Sequence, residues 1–198
     1  MMDRREAIKR AGYLTGFALS AGTLSAVLQG CQPEVSPLET WVPKHFSLEN
    51  GRAVAYMAER IIPHTDTPGA IDVFVHDYLD NIVGICMLPE DQARFDAGLA
   101  QFLADFSTKS GKTFLEGSET EQLDFLNAVD QKDKAFVEAN PILKPEEFPF
   151  FLTFKQLVLT GYFTSEPIAT EVLGFNPIPG EYDGCMPYEA GTPNWYNG

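Results

Sequence analysis

Residues 71–86, IDVFVHDYLDNIVGIC, carry the strongest secondary-structure signal in this chain of 198 residues. Apolar side chains recur at offsets of 0, 3, 4, 7, 8, 11, 12 and 15 from Ile71, which is the spacing of one helix face. The spacing predicts a continuous amphipathic helix, with Asp66 or Thr67 as its N-cap ahead of Pro68. The stripe consists of Ile71, Phe74, Val75, Tyr78, Leu79, Ile82, Val83 and Cys86.

Four further helices are predicted around this stretch. Ser47 can cap the first of them, and Pro89 can open the next. Ser118 and Glu121 have the spacing of a capping box. No stretch alternates with a period of two, so we expect no strands. The predicted fold is all-α, a small bundle of about five helices over residues 47–163. The predicted helices cover about 49–62, 71–86, 89–107, 118–138 and 146–163.

The chain is acidic, with a formal charge of −14. Its basic cluster is at the N-terminus, and residues 31–198 hold 10 basic and 26 acidic side chains. Such a surface has no basic patch that could neutralise phosphates, so we exclude nucleic acid as a partner. The same acidity argues against electrostatic adhesion to anionic membranes.

Residues 1–30 are typical of an export signal with a basic start and an apolar core. Arg4, Arg5 and Lys9 keep the spacing of a twin-arginine signal. The segment ends Leu-Gln-Gly-Cys at Cys31, which resembles a lipobox, and we expect Cys31 to be lipidated. The alternatives are an unprocessed signal or a transmembrane helix, but eighteen weakly apolar residues with three glycines span a bilayer poorly.

Two segments outside the bundle differ from it in composition. Residues 31–46 are interpreted as a linker. Residues 164–198 contain five prolines and five glycines, and they form an irregular tail with, at most, one short helical turn around 169–173. The tail keeps more aromatic residues than a disordered linker would, so we expect it to wrap another surface, either its own bundle or a partner. The candidate contact residues are Phe175, Tyr182, Trp195 and Tyr196.

Three cysteines are present: Cys31, Cys86 and Cys185. Because Cys86 falls on the apolar stripe, we expect a buried thiol there, whereas Cys185 lies in the tail and should be accessible. Lipidation of Cys31 would leave two thiols in an oxidising compartment. Cys185 is then the candidate for a disulfide to another chain, with an internal Cys86–Cys185 bridge or two free thiols as the alternatives.

No nucleotide-binding or hydrolase motif is present, so we expect no cofactor in this chain. The best metal constellation combines His64, Asp66, Asp72, His76 and Asp80, the last three spaced by four residues on one helix face. We favour a solvated helix face over a metal site. We also interpret His64 as a structural residue, whose ring hydrogen-bonds a nearby carboxylate or backbone group, rather than as a catalytic acid or base.

Two motifs organise these observations. IIPHTDTPGA at 61–70 and GYFTSE at 161–166, continued through 173–185, resemble the gluconate 2-dehydrogenase subunit 3 family over roughly residues 45–187. The first motif contributes His64, Asp66, Pro68 and Gly69.

The resemblance implies a periplasmic, membrane-associated small subunit that is not itself catalytic. Its partner would be a GMC-type large subunit that carries FAD and acts on gluconate, fructose, sorbitol or glucose, in some complexes with a multihaem cytochrome c. The small subunit would aid export and maturation of that partner, which is then the chain to which the accessible Cys185 is expected to form its disulfide. One alternative is a stand-alone periplasmic lipoprotein with a binding or scaffolding role. Another is an enzyme that uses His64 and Asp66.

Overall fold

The helices predicted from apolar spacing are present, although the deciding stretch begins differently. A computed structural model describes residues 36–175 and residues 178, 180, 185, 190, 191, 195 and 196. The described residues contain six α-helices, five of them longer than one turn, so the all-α prediction is confirmed. The helices are α1 (Pro37–Thr40), α2 (Leu48–Ile61), α3 (Val75–Asn81), α4 (Pro89–Ser110), α5 (Glu119–Ala139) and α6 (Phe150–Phe163). Short 3₁₀ turns cover Phe114–Glu116 and Pro145–Glu147, and π-helical turns cover Ile82–Cys86 and Ile168–Val172.

The capping signals predicted at Ser47 and Ser118 set the starts of α2 and α5, and α4 extends three residues beyond its predicted end. The Ser47 hydroxyl accepts a hydrogen bond from the Asn50 N–H at 3.1 Å and opens α2. Ser118 and Glu121 form the predicted capping box at the start of α5. Gly111 ends α4 at φ 72°, a left-handed conformation that glycine adopts without strain.

The helix in the deciding stretch is shorter than predicted. It begins at Val75, and its N-cap is Phe74 at φ 58° and ψ 32°, so the predicted caps Asp66 and Thr67 are wrong. From Ile82 the winding changes to a π-helical turn. This turn rotates later side chains away from the predicted stripe, so Cys86 is exposed and the prediction of a buried thiol is wrong.

The core lies where α3 packs between α2 and α6, and it continues into an aromatic cluster beside α4 and α5. In that cluster the Phe102 ring stacks on Phe151 at 5.8 Å, and Phe106 meets Phe125 edge-on at 5.3 Å. Both arrangements are ones that aromatic pairs prefer. Fully buried core residues include Val54, Met57, Val75, Leu79, Val83, Phe154 and Val158.

The segment predicted to be a linker is, over residues 37–46, part of the fold. Leu38 and Phe46 are buried, and the Trp41 ring packs against Gly51 of α2. A Cβ at Gly51 would lie 2.8 Å from this ring, so the glycine allows the close contact. We call residues 37–46 the strap. Its polar composition suggested a linker, but Leu38 and Phe46 are buried in the fold, and of its large apolar side chains Val42 is the one left 75% exposed.

The first part of the tail also packs on the bundle. Ile168 and Ala169, in the second π-helical turn, are buried, which places this part of the predicted partner-wrapping tail on its own protein. Gly174–Phe175 (β1) pairs in parallel with Trp195–Tyr196 (β2). The prediction of no strands is therefore wrong for these four residues, because a two-residue strand is too short to show alternation.

Candidate functional site

The loop at residues 62–74 is held by a carboxylate on the preceding helix. Glu59 of α2 accepts the His64 N–H at 3.0 Å with Oε1 and the Ile71 N–H at 2.9 Å with Oε2. The two oxygens thus fasten both arms of the loop to α2. Sequence analysis missed Glu59 because its partners lie 5 and 12 residues away and follow no helical spacing.

His64 makes a carboxylate contact of the kind that a structural role predicts. Its Nδ1 lies 2.7 Å from Oδ2 of Asp72, and the same oxygen accepts the Gly69 N–H at 2.7 Å. The ring is exposed, and the carboxylate beside it belongs to Asp72 rather than to Asp66. The pairing of His64 with Asp66 that an acid–base site would need is therefore not formed.

Gly69 and Pro68 close the loop against the bundle. A Cβ at Gly69 would lie 2.5 Å from Oε1 of Glu59 and 2.6 Å from the His64 nitrogen, so no larger residue fits. The Tyr162 hydroxyl on α6 donates to the Pro68 carbonyl at 2.8 Å. The motif at 61–70 thus builds a loop that is fastened from two helices.

The loop ends in a strained residue beside an unpartnered histidine. Phe74 adopts a left-handed conformation, which is uncommon for a bulky residue, and it is 53% exposed. The His76 ring is buried, with the Trp41 ring edge-on at 4.7 Å and the Phe74 ring at 5.9 Å. No group among the described residues hydrogen-bonds either ring nitrogen. Burial disfavours the charged ring and lowers the pKa of His76 to about 4, against a smaller opposing effect of Asp77.

Asp80, one helical turn after His76, anchors the strap. Its carboxylate accepts the backbone N–H groups of Lys44, His45 and Phe46 at 2.7 to 3.1 Å. The interpretation of Asp72, His76 and Asp80 as one solvated helix face is therefore wrong. His76 and Asp80 are buried, and Asp72 precedes the helix. Within the described residues, no group of three His, Cys, Asp or Glu side chains is placed to hold a metal ion.

Two apolar hollows adjoin Phe148, one between α4 and α6 and the other between α6 and the segment that precedes it. One hollow of about 550 Å³ has Phe95, Gly98 and Phe150 among its walls. A second, of about 470 Å³, has Leu143 and Leu157. Both are lined by Pro145, Phe148 and Thr153, so they form one surface with Phe148 as the ridge between them. We call the residues lining the two hollows the Phe148 face.

The sequence matches the model of one protein family, described as gluconate 2-dehydrogenase subunit 3, over residues 49–180. The chain belongs to this family. The matched range contains the 62–74 loop and the Phe148 face, whereas the strap and Cys185 lie outside it. No curated protein and no solved structure matches the chain significantly.

Family membership makes the chain an accessory subunit of a dehydrogenase complex. Complexes of this kind are membrane-associated. Among the described helices, none is both long and apolar enough to cross a bilayer. Attachment through a lipid at Cys31 or through another subunit stays a prediction.

The remaining predicted site residues lie at the two ends of the chain. Cys185 is exposed as expected, and Phe175 is partly exposed. Cys86 is a free thiol, so an internal Cys86–Cys185 bridge is not formed, and the disulfide from Cys185 to another chain stays a prediction. Trp195 and Tyr196 are described only as strand β2. Residues outside the described part of the chain are Arg4, Arg5, Lys9, Cys31 and Tyr182.

Proposed function

We propose that this chain is the non-catalytic small subunit of a periplasmic, membrane-associated dehydrogenase that is FAD-dependent and acts on a sugar, a polyol or gluconate. It aids the export, maturation and stability of the flavoprotein large subunit. The family match over residues 49–180 carries the proposal. The bonds made by the 61–70 motif support it, because His64, Pro68 and Gly69 shape a loop rather than a reaction centre.

The division of labour in this proposal is chemical. The GMC-type large subunit holds FAD and the substrate, and a multihaem cytochrome c, where the complex contains one, carries haem c. This chain holds no cofactor and contributes surface. An acidic subunit that leaves an apolar face exposed is suited to that role, because an extended apolar patch typically marks a contact with another protein.

Affinity isolation of the tagged full-length chain from solubilised membranes tests the proposal. We expect a flavin-containing chain to co-purify and the complex to reduce an artificial electron acceptor when a sugar, a polyol or gluconate is supplied. The chain purified without its partner should show no turnover after FAD is added. Turnover by the isolated chain, or its recovery as a monomer without a flavoprotein, would contradict the proposal.

Export is tested separately at the N-terminus. Replacing Arg4 and Arg5 together by Lys preserves charge but removes the guanidinium groups. We expect the variant to leave both this chain and the large subunit in the cytoplasm, as judged by fractionation. Cys31→Ser should be exported but lose lipid-dependent attachment. Arrival of the large subunit in the periplasm with the Lys variant would refute a shared signal.

A further inference from the structure

We propose that the Phe148 face is the surface on which the large subunit docks, and that it receives an apolar segment flanked by basic side chains. This inference rests on the proposed function and specifies where the partner binds. Three sets of observations carry it: the exposure of apolar side chains, the preformed shape of the hollows, and the charge at their rim.

Apolar side chains at and beside this face are exposed to water. Phe148, which lines both hollows, is 44% exposed, and Ile142 in the same connection between α5 and α6 is 92% exposed without lining either hollow. Single exposed apolar residues are common on protein surfaces, but a contiguous patch with two adjoining hollows is not. Interfaces bury such aromatic anchors in pockets of the partner, where they dominate the binding energy.

The larger hollow is preformed. Its floor contains the Phe95 and Phe150 rings, which meet edge-on at 5.1 Å. Phe150 lies directly on α4 at Gly98, where a Cβ would be 2.6 Å from Cδ2 of the ring. These contacts fix the floor without a ligand, so a partner side chain would enter a formed cavity and lose less entropy than in an induced one.

Charge at the rim selects the kind of partner. Asp91, Arg94 and Glu146 line the larger hollow, and Arg94 forms an ion pair with Asp91 at 3.0 Å. Glu146 therefore leaves a net negative rim. A second copy of this chain would bring another acidic surface to it, because residues 31–198 hold 26 acidic and 10 basic side chains. A segment with lysine or arginine beside its apolar residues is complementary.

The test replaces each of two phenylalanines that are about equally exposed in this chain, and it measures the effect of each replacement on the complete complex. Phe136 on α5 is 45% exposed and lines neither hollow, which makes Phe136→Ser the control for Phe148→Ser. The probe is the flavin-containing chain that co-purifies with the wild-type protein. We expect Phe148→Ser to bind it roughly 30-fold or more weakly, and Phe136→Ser to bind like the wild type. Circular dichroism establishes that both variants are folded.

A charge reversal gives a second, independent measurement. Glu146→Lys should weaken binding several-fold, with the loss shrinking as salt screens the rim, whereas Glu171→Lys, in the π-helical turn that follows α6, should have no such effect. If the wild type binds the flavoprotein and Phe148→Ser binds equally well, the docking surface is wrong while the proposed function stands. If the wild type binds no flavoprotein, both fail. A dimer of this chain that Phe148→Ser dissociates would assign the face to self-association and overturn the inference.

Discussion

The strap and the α5–α6 connection are two short segments of similar length with opposite fates. The strap precedes α2 and the connection joins α5 to α6. Both have a polar, proline-containing sequence, and both carry large apolar residues. The strap buries Leu38 and Phe46, whereas the connection, residues 140–149, leaves Ile142 and Phe148 exposed. The difference lies in what each backbone meets on the neighbouring helix.

A buried carboxylate makes that difference. Asp80 on α3 accepts three consecutive N–H groups of the strap, and Asp77 accepts the Trp41 indole N–H at 3.0 Å. In the connection, the hydrogen bonds within the described part of the chain are local, such as the one from the Lys144 N–H to the Glu147 carboxylate at 2.9 Å. The strap thus completes the fold, and the connection presents its apolar side chains outward.

The largest expected effect comes from removing the acceptor of the strap. Asp80→Ala leaves three N–H groups without their acceptor, and we expect it to lower the free energy of unfolding by about 4 kcal/mol. Urea titration followed by circular dichroism measures the loss, and tryptophan fluorescence reports on Trp41. The control Asp124→Ala, at an exposed position of α5, should change stability by less than about 0.5 kcal/mol. Equal stabilities of the two variants would show that the strap does not depend on Asp80.

A second test uses pH beneath the strap. The pKa of His76 is lowered from 6.5 to about 4 in the folded protein, so the unfolded chain binds more protons between these values. His76 should therefore lower the free energy of unfolding by about 3 kcal/mol as the pH drops from 6.5 to 4. Above pH 6.5 the ring is neutral in both the folded and the unfolded state, and none of this stability is lost.

His76→Leu isolates that contribution. We expect the unfolding free energy of the variant to fall less than that of the wild type as the pH drops from 6.5 to 4. Acidic groups contribute equally to both proteins and cancel in the comparison. Parallel pH profiles for the two proteins would show that His76 does not titrate under the strap.

A smaller effect is expected in the 62–74 loop. Gly69→Ala would place a Cβ 2.5 Å from the Glu59 carboxylate, and overpacking of this kind costs about 2 kcal/mol. The double variant with Glu59→Ala should be less destabilised than the sum of the single variants, because the clash with the carboxylate is then gone and only the one with the His64 nitrogen is left. Additive losses in thermal or urea unfolding would mean that the two residues do not meet.

The smallest effect on stability is expected on the Phe148 face. Because Phe148 is 44% exposed, Phe148→Ser should cost about 1 kcal/mol or less in the isolated chain, despite its large expected effect on binding. Phe154→Ser, at a fully buried position four residues into α6, should cost about 4 kcal/mol. A loss of similar size for Phe148→Ser would place this residue in the core instead of the interface.

Sequence signals correctly predicted features that depend on residues close together in the chain, such as helix caps. The caps at Ser47 and Ser118 depend on neighbours within four residues, and both were predicted correctly. Contacts between distant residues defeated the prediction elsewhere. The start of α3 moved because Glu59 holds Ile71 in a loop, and Cys86 became exposed because the helix changes its winding at Ile82.

The candidate site shows the same division. A contact of the His64 ring with a nearby carboxylate was predicted, and the carboxylate is that of Asp72. The spacing of His76 and Asp80 was recognised but assigned to solvent, because nothing local reveals that a segment 35 residues upstream covers them. The Phe148 face could not be predicted from the sequence, because its aromatic residues have the same spacing as the buried aromatic residues of the core.

The hydrogen bond from Tyr162 to Pro68 has a consequence for the order of events during translation. Its two residues are 94 positions apart. At a synthesis rate of about 5–20 residues per second, roughly 5–20 s separate the appearance of the loop from that of the side chain that fastens it. The 62–74 loop therefore waits, attached only to α2, until nearly the whole bundle has been made. A nascent chain arrested before α6 would carry this loop bonded to α2 but not to α6. The hydrogen bond from the Tyr162 hydroxyl can form only after nearly the whole bundle has been synthesised.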